Sequence, residues 1–524
     1  MQTVSPAARD SRKAKLEIPQ WAEASLKWGS VLSYLGFLLW TCSTPFRHHA
    51  PLVQYTEDDF FYYLKIAQNF AAGRGSSFDG IHLTNGYHPL WFLLFAAVSL
   101  LSTSLFTAIL TVAVTSAIGA AATFFLIRKL LLDQGINDWL ACALAVFIGN
   151  LAVTVFFDGM EATLAIPLML LTIVQAQRFI AKPVATTALV LGLLMSLTIL
   201  SRLDAALWVS LLGLAALGTR PVRASLKPTV LLSVLAGLIP VGVYLILNHH
   251  YFDCWLPISG TAKQLKPTLA PSIRPLQSLV RREVIFPAVL SVIALGAVGT
   301  KWSTATVVER VVFVPTLLFP FVYYGTLCFK SDWPLWGWYS YPTIAQFAVA
   351  SGMCLTRLLP AINRSKVISA VACIGCCLNF GHKRDWHQVP EISDASIDIA
   401  RFSETHPGVY AMGDRAGSVG YLLKSPLVQL EGLVMDKPFL ENIKQQRPLK
   451  TVLQQYGVRY YITTIRGDYT GVVNAREPAQ AGPQSPRMTS VFTEKPVALF
   501  HHGLATTVIF DLGSSSLTGR SAVR

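Results

Sequence analysis

TEDDFFYYLKIAQNFAAGRGSSFDGIHLTNGYHPLW, Thr56–Trp91, is a polar, acid-headed, aromatic-rich stretch lying between hydrophobic segments long enough to cross a bilayer. A polar stretch held beside lipid points to chemistry at a membrane surface. Two aspartates just outside a first span, Asp58 and Asp59, can deprotonate a hydroxyl, and the Tyr, Asn, His and Trp residues around them can hold a polar substrate. Thr56 stands where it can cap a helix carrying Glu57, Asp58 and Asp59 in its first turn. Phe60, Leu64, Ala67 and Ala71 follow at helical spacing, so this helix is expected to lie flat on the outer leaflet with its apolar face down.

Working outward, a chain of 524 residues that is 52% hydrophobic and 14% charged is no ordinary water-soluble globule. Its mean hydropathy of +0.47 says the same. Apolar runs of about 18 to 25 residues recur from Trp28 to Phe380, each able to cross a hydrocarbon core of roughly 30 Å as a helix, and about eleven spans are expected. The N-terminus carries basic residues with no cleavage site behind the first apolar run, which reads as a retained anchor.

The net charge of +14 is distributed in alternate loops. Arg9, Arg12, Lys13, Lys15 and Lys27 precede the first span, and Arg128, Lys129, Arg178, Lys182, Arg220, Arg223 and Lys227 follow alternate later ones. The positive-inside rule puts these loops in the cytoplasm and the loops near His48, Asp158, Arg202, Asn248 and Lys330 outside. Dispersed loop charge without a basic patch argues against nucleic acid as a partner.

The chain divides into a cytoplasmic tail (1–27), a membrane body (28–381) whose first outer loop covers 48–104, and a domain from 382 to 524. In the last, a helix near Ile392–Glu404, a strand in GVYAMG, a turn in DRAG, a helix over Leu449–Tyr456 and a strand in VRYYITT alternate as in a small α/β domain, which span parity places outside. From about Arg476 the sequence is rich in Pro, Gly, Ser and Thr and is expected to be weakly ordered, although VALFHH and TTVIF can add strands. The fold expected is therefore a mainly α-helical polytopic membrane protein with a small C-terminal extracytoplasmic α/β domain.

Eight cysteines are present, most of them in or near apolar spans. Cys373 and Cys376 have the spacing of a redox or zinc pair but sit in a hydrophobic run without histidines, so they read as small buried hydrophobes. The histidine doublets at His48, His249 and His501 read as interfacial polar residues. No metal site and no cofactor is indicated.

In the order of its segments the chain resembles the lipid-dependent glycosyltransferases of the GT-C superfamily. EDDFFYYLKIAQN matches the paired acidic motif and its helix, AAGRGSSFDG the following turn, and TNGYHPLW the start of the next juxtamembrane helix. SRLDA (Ser201–Ala205), LPISGTAK (Leu256–Lys263), WGWYSYP (Trp336–Pro342), GDRAGSVGYLL and QLEGL continue the match to about Ile462. The resemblance implies an inverting transfer of sugar from a polyprenyl-phosphate donor to a glycan, lipid or protein acceptor outside the inner (plasma) membrane.

Such a transfer needs one base for the acceptor hydroxyl and cations for the departing phosphate. Adjacent helical aspartates point about 100° apart, so one of them meets the acceptor. The resemblance assigns this to Asp58, with Asp59 orienting loop or substrate, and the reverse order stays open. For the phosphate, Lys263, Arg202 and His88 are the candidates; Arg202 has Asp204 as an alternative partner, Lys263 can snorkel, and His88 can cap the helix it starts. Asn85, Tyr87, Glu161, Trp338 and Tyr339 are candidate substrate contacts. Asp158 and Glu161 also have capping-box-like spacing, and the tryptophan and tyrosine also suit an interfacial belt. GDRAGSVG reads as a plain βα turn, without a dinucleotide fingerprint. The rival reading is a polytopic lipid or solute transporter or flippase, for which paired halves are not apparent.

Overall fold

Long apolar segments fold as helices because only a helix satisfies its own backbone hydrogen bonds away from water. The computed structural model describes residues 20–280, 282–365, 368, 370–372, 375–376 and 390–513. Its first part runs through α1 (Gln20–Cys42), α2 (Asp58–Ala71), α3 (Pro89–Leu101), α4 (Leu105–Asp133), α5 (Asp138–Phe156), α6 (Ala162–Ala181), α7 (Ala185–Ser201), α8 (Ala205–Gly218) and α9 (Pro228–Phe252). It ends with α10 (Arg282–Gly299), α11 (Glu309–Lys330, opened by a π turn) and α12 (Tyr341–Arg357).

Among the described residues five helices, α4, α5, α6, α9 and α11, are long and apolar enough to cross a membrane. The shorter apolar helices α3, α7, α8 and most of α10 fall below that length, so about eleven spans are not reached on length and composition alone. Leu231, Leu232, Leu235, Ile239, Val243 and Ile246 stand exposed along α9. A row of bare aliphatic side chains is stable where the solvent is hydrocarbon. Cys373 lies outside the described residues, so the Cys373–Cys376 spacing has no geometry to report; Cys42, Cys142, Cys254, Cys328, Cys354 and Cys376 are free thiols.

The C-terminal domain contains α13 (Pro390–Thr405), β1 (Tyr410–Met412), α14 (Ala416–Leu422), β2 (Leu427–Gln429), α15 (Lys437–Lys444), α16 (Leu449–Gln455), β3 (Tyr460–Arg466), β4 (Val473–Glu477), β5 (Met488–Phe492), β6 (Ala498–His502) and β7 (Ala505–Asp511). β1 pairs in parallel with β2 and β3, β7 runs antiparallel to β3, and the sheet order is β2-β1-β3-β7-β6. β4 and β5 form a separate hairpin.

Two expectations are corrected here. The region from Arg476 is not weakly ordered up to Leu512: TTVIF lies inside the sheet between β3 and β6, with Val508, Ile509 and Phe510 buried. Its Gly, Pro and Ser residues mark the turns between strands. Nor does α2 lie flat with one face on lipid. Phe60, Phe61, Tyr62, Tyr63, Leu64, Ile66 and Ala67 are buried around its circumference, because α3 packs on one side and α14 of the C-terminal domain on the other. Glu57, not Thr56, occupies the cap position, and among the described residues the buried Thr56 hydroxyl has no hydrogen-bond partner.

Phe510 ties the sheet to the hairpin, its ring 5.2 Å from that of Phe492 and 6.3 Å from that of Tyr461. Phe510→Ala should cost the C-terminal domain about 3–5 kcal/mol, the range for a fully buried phenylalanine. Limited proteolysis of the full-length protein should then cut within 390–513 at least roughly 10²-fold faster than in the parent. An unchanged cleavage rate would show that β7 is not part of the domain's core.

Candidate active site at the seam between α2 and the C-terminal domain

Asp58 and Asp59 open α2, where the helix dipole favours carboxylates, and their angular separation gives them different surroundings. Asp58 faces the C-terminal domain. Its carboxylate accepts the backbone N–H of Gly417 (2.7 Å), the backbone N–H of Ser418 (2.8 Å) and the Ser418 hydroxyl (2.6 Å). These donors belong to the first turn of α14, reached from β1 through Arg415 in the left-handed region (φ 64°). The GDRAGSVG turn thus meets an anion, and that anion is a side chain of the same protein. Burial pushes the Asp58 carboxyl up, and the three donors partly offset this. Gly417 is required by the approach, because a Cβ there would stand 2.1 Å from the Asp58 carbonyl oxygen.

Asp59 is half-buried and accepts no hydrogen bond among the described residues. Burial pushes its carboxyl up to about 7; Lys263 opposes this, while Asp58, Glu57 and Asp414 add to it. A base of that pKa is half-ionised near neutral pH, as proton transfer from an alcohol favours. Two further acids crowd the seam. Glu431, which follows β2, is buried with Oε1 lacking a hydrogen-bond partner among the described residues, and Glu477 of β4 is pushed up to about 8 by its burial with Asp414 adding. Burial, with Asp414, Glu477 and Asp59 adding, raises Glu431 well above the ordinary carboxylate range. Neither was singled out from sequence, although QLEGL already contained Glu431.

Lys263 follows the short helical turn Ile258–Ala262 and lines a cavity of about 490 Å³ together with His88, Arg202, Asp204, Trp333 and Tyr339. Its Nζ donates to the Tyr339 hydroxyl (3.1 Å) and lies over the Tyr339 and Trp333 rings at 5.4 and 5.9 Å. Among the described residues no carboxylate forms an ion pair with it. Burial opposes its charge, but the Tyr339 oxygen and Asp59 outweigh burial and raise its pKa.

Arg202 is differently placed. Its guanidinium meets Glu161 Oε1 at 2.7 Å and Asp204 Oδ2 at 2.9 Å, donates to the Trp338 carbonyl, and lies over the rings of Tyr339 and Tyr341. Asp204 also accepts the hydroxyls of Tyr323 (2.5 Å) and Tyr341 (2.9 Å). Arg202 therefore has both alternatives at once, a cavity position and carboxylate partners, and its charge is already neutralised. Glu161 stands at the cap position of α6, but among the described residues its side chain makes no capping hydrogen bond. It is buried between Arg202 and the Tyr63 hydroxyl (3.0 Å), which ties α2 to the α7–α8 corner. His88 Nδ1 accepts the Leu203 N–H (3.2 Å), so that nitrogen cannot carry a proton without losing the bond; burial lowers the pKa, and Nε2 lies 3.6 Å from Glu161. His88 lines the cavity as a neutral ring.

The remaining candidates position the loop. Asn85 accepts the Ile258 N–H (2.9 Å) and donates to the Leu256 carbonyl (3.3 Å), which leaves its amide committed. The Tyr87 hydroxyl bonds Ser76 Oγ (2.7 Å), with its ring stacked on Phe92. Trp338 is buried and stacked on Trp336, whereas Tyr339 faces the cavity. Among the described residues no group of three or more His, Cys, Asp or Glu side chains is arranged to hold a metal ion.

No family model matches the chain, and no curated protein matches it. In fold it is similar to ArnT from Cupriavidus metallidurans bound to undecaprenyl phosphate, with 13% identity and a TM-score of 0.49 over 96% of this chain and 100% of that one. It is also similar to the Archaeoglobus fulgidus oligosaccharyltransferase tethered with an acceptor peptide, with 12% identity and a TM-score of 0.48 over 85% of this chain and 70% of that one. A third similarity is to the arabinofuranosyltransferase AftD from Mycobacteria, with 16% identity and a TM-score of 0.46 over 93% of this chain and 40% of that one. Likenesses this distant leave the chemistry to be argued from the residues.

Gly417→Ala drives a methyl group into the Asp58 backbone and should open the contact between α2 and α14. Loss of charge-assisted bonds worth roughly 1.5 to 3 kcal/mol each should speed amide hydrogen exchange in 416–422 by about tenfold or more. Parent-like exchange there would remove the Asp58 contact as a support of the seam.

Proposed function

We propose that this chain is an integral-membrane glycosyltransferase that moves a sugar from a polyprenyl-phosphate donor to an acceptor hydroxyl outside the cytoplasm. The observation that carries the reading is a half-buried carboxylate, Asp59, that among the described residues accepts no hydrogen bond, in the field of a cavity lysine, Lys263, that among the same residues has no carboxylate in ion-pair contact. The resemblance of the loop EDDFFYYLKIAQN to the paired acidic motif of GT-C enzymes supports it further.

In this reading the acceptor oxygen attacks the anomeric carbon of the donor, the bond from that carbon to the phosphate oxygen breaks, and the phosphate leaves with the electron pair. The acceptor proton passes to Asp59, and Lys263 holds the charge on the phosphate. One displacement inverts the anomeric centre. Asp58 then has the orienting role, because both its oxygens are engaged by α14, so the reverse of the first assignment is the one the geometry supports. Arg202 and His88 shape the phosphate end of the cavity without contributing free charge.

Asp59→Asn should lower turnover by about 10² to 10⁴ fold while leaving donor binding intact, measured on purified protein with a polyprenyl-phosphate sugar. In the parent the rate should climb as pH rises through about 7 and fall below it, since the base acts ionised. Parent-like turnover in Asp59→Asn would overturn the assignment of the base, and a lipid-translocating protein with no transfer would favour the transporter.

Lys263→Ala should weaken polyprenyl-phosphate binding roughly 10- to 10²-fold and slow transfer with it, and Lys263→Arg should restore part of the loss. If Lys263→Ala binds the donor as tightly as the parent, the phosphate is held elsewhere.

A further inference from the structure

A second cavity has a volume of about 550 Å³. Its walls come from both parts of the molecule: the last turn of α9 on one side, the start of α15 on the other, and Thr84 and Asn85 of the first loop as its floor. Asn85 separates the two cavities, since it faces this one while its amide grips Leu256 and Ile258 in the wall they share.

The chemistry of the lining is specific in what it offers. Asp253, turned by a left-handed backbone (φ 51°) at the end of α9, meets Lys437 of α15 at 2.6 Å and so bridges the cleft. Asp436 caps the Phe439 N–H (3.0 Å), and Glu441 lies 3.5 Å from Lys444. Each carboxylate thus has a partner, Asp253 and Glu441 a lysine and Asp436 a backbone N–H and the Tyr456 hydroxyl, and the cleft presents acceptor oxygens already engaged on one side. Beside them stands the 62% exposed ring of Tyr251, at the rim formed by the last turn of α9. Oxygens that accept hydroxyl protons, set beside an exposed aromatic ring on which a C–H face can stack, suit a neutral saccharide; a phosphate headgroup would meet three acids, and a cationic peptide would find two of them already paired with lysines.

We propose that this cleft is a binding site for a neutral oligosaccharide, the part of a glycan acceptor remote from the reacting hydroxyl. Its assignment to the acceptor rests on the transferase reading; the site itself does not. The neighbouring catalytic cavity would then be filled by donor from one side of the Leu256–Ile258 wall while the cleft holds the acceptor chain on the other.

The test uses full-length purified protein on a glycan array carrying neutral oligosaccharides with their uronate- and phosphate-bearing counterparts. Neutral glycans should be retained in preference to the anionic ones. The double substitution Tyr251→Ala with Glu441→Gln, both exposed positions, should weaken retention by about tenfold or more while polyprenyl phosphate binds as in the parent. Retention of no neutral glycan, preference for the anionic forms, or parent-like retention by the double variant would each overturn the proposal. Asp59→Asn should keep the retained glycan; if the parent retains the neutral glycan but transfers no sugar to it from a polyprenyl-phosphate donor, the transferase reading falls and the saccharide site stands.

Discussion

The Asp58 carboxylate sits between two elements separated by 359 residues of chain, and the shape of the first loop depends on what it finds there. A carboxylate taken out of water must be given hydrogen bonds or be neutralised, and each bond to a charged group contributes roughly 1.5 to 3 kcal/mol. The first turn of α14 supplies three. A second close approach acts beside it, where a Cβ on Gly86 would lie 1.9 Å from the Leu433 carbonyl oxygen. Loop and C-terminal domain therefore pack as one body, with Lys65 donating to the Leu423 carbonyl (3.0 Å) and Gln54 to Asp394 (3.2 Å) at its edges.

Satisfying one acid in this way leaves its neighbour unsatisfied, and much of the site follows from that asymmetry. Glu161 and Asp204 hold the Arg202 guanidinium in a closed network, with Tyr63, Tyr323 and Tyr341 taking up the remaining oxygens. Removing one member of such a buried set typically costs 3–5 kcal/mol, so it acts as framework. Asp59 and Lys263 are what the framework holds without neutralising. Groups left incompletely paired in a buried setting are where reactivity is stored, because their charge is available to a substrate.

The crowding of Asp414, Glu431 and Glu477 around Asp59 has the same origin. Each is brought to the seam by a different strand end or turn; burial with Asp414, Glu477 and Asp59 raises Glu431, and burial with Asp58, Glu57 and Asp414 raises Asp59 toward neutrality. A carboxylate in an ordinary exposed helix turn would be too weak a base for an alcohol.

Membrane character was legible in the sequence because it is a property of composition: exposed aliphatic rows on α9 need no tertiary information to be foreseen. The acid-headed loop, the lysine of LPISGTAK and the α/β alternation after 390 were legible for similar reasons, since short-range pattern sets them. Which aspartate is free was not. Adjacent residues on a helix differ only in direction, and direction acquires meaning only when α14 arrives from the far end of the chain to occupy one side. The same holds for Arg202, whose charge reads as available until Glu161 is placed 2.7 Å away, and for the region from Arg476, whose turn residues suggest weak order until β3 and β6 pair with the TTVIF strand on both edges. Residue type and spacing determine what chemistry a chain can offer; which groups remain unpaired is decided by contacts between segments hundreds of residues apart, because pairing energy depends on position in space.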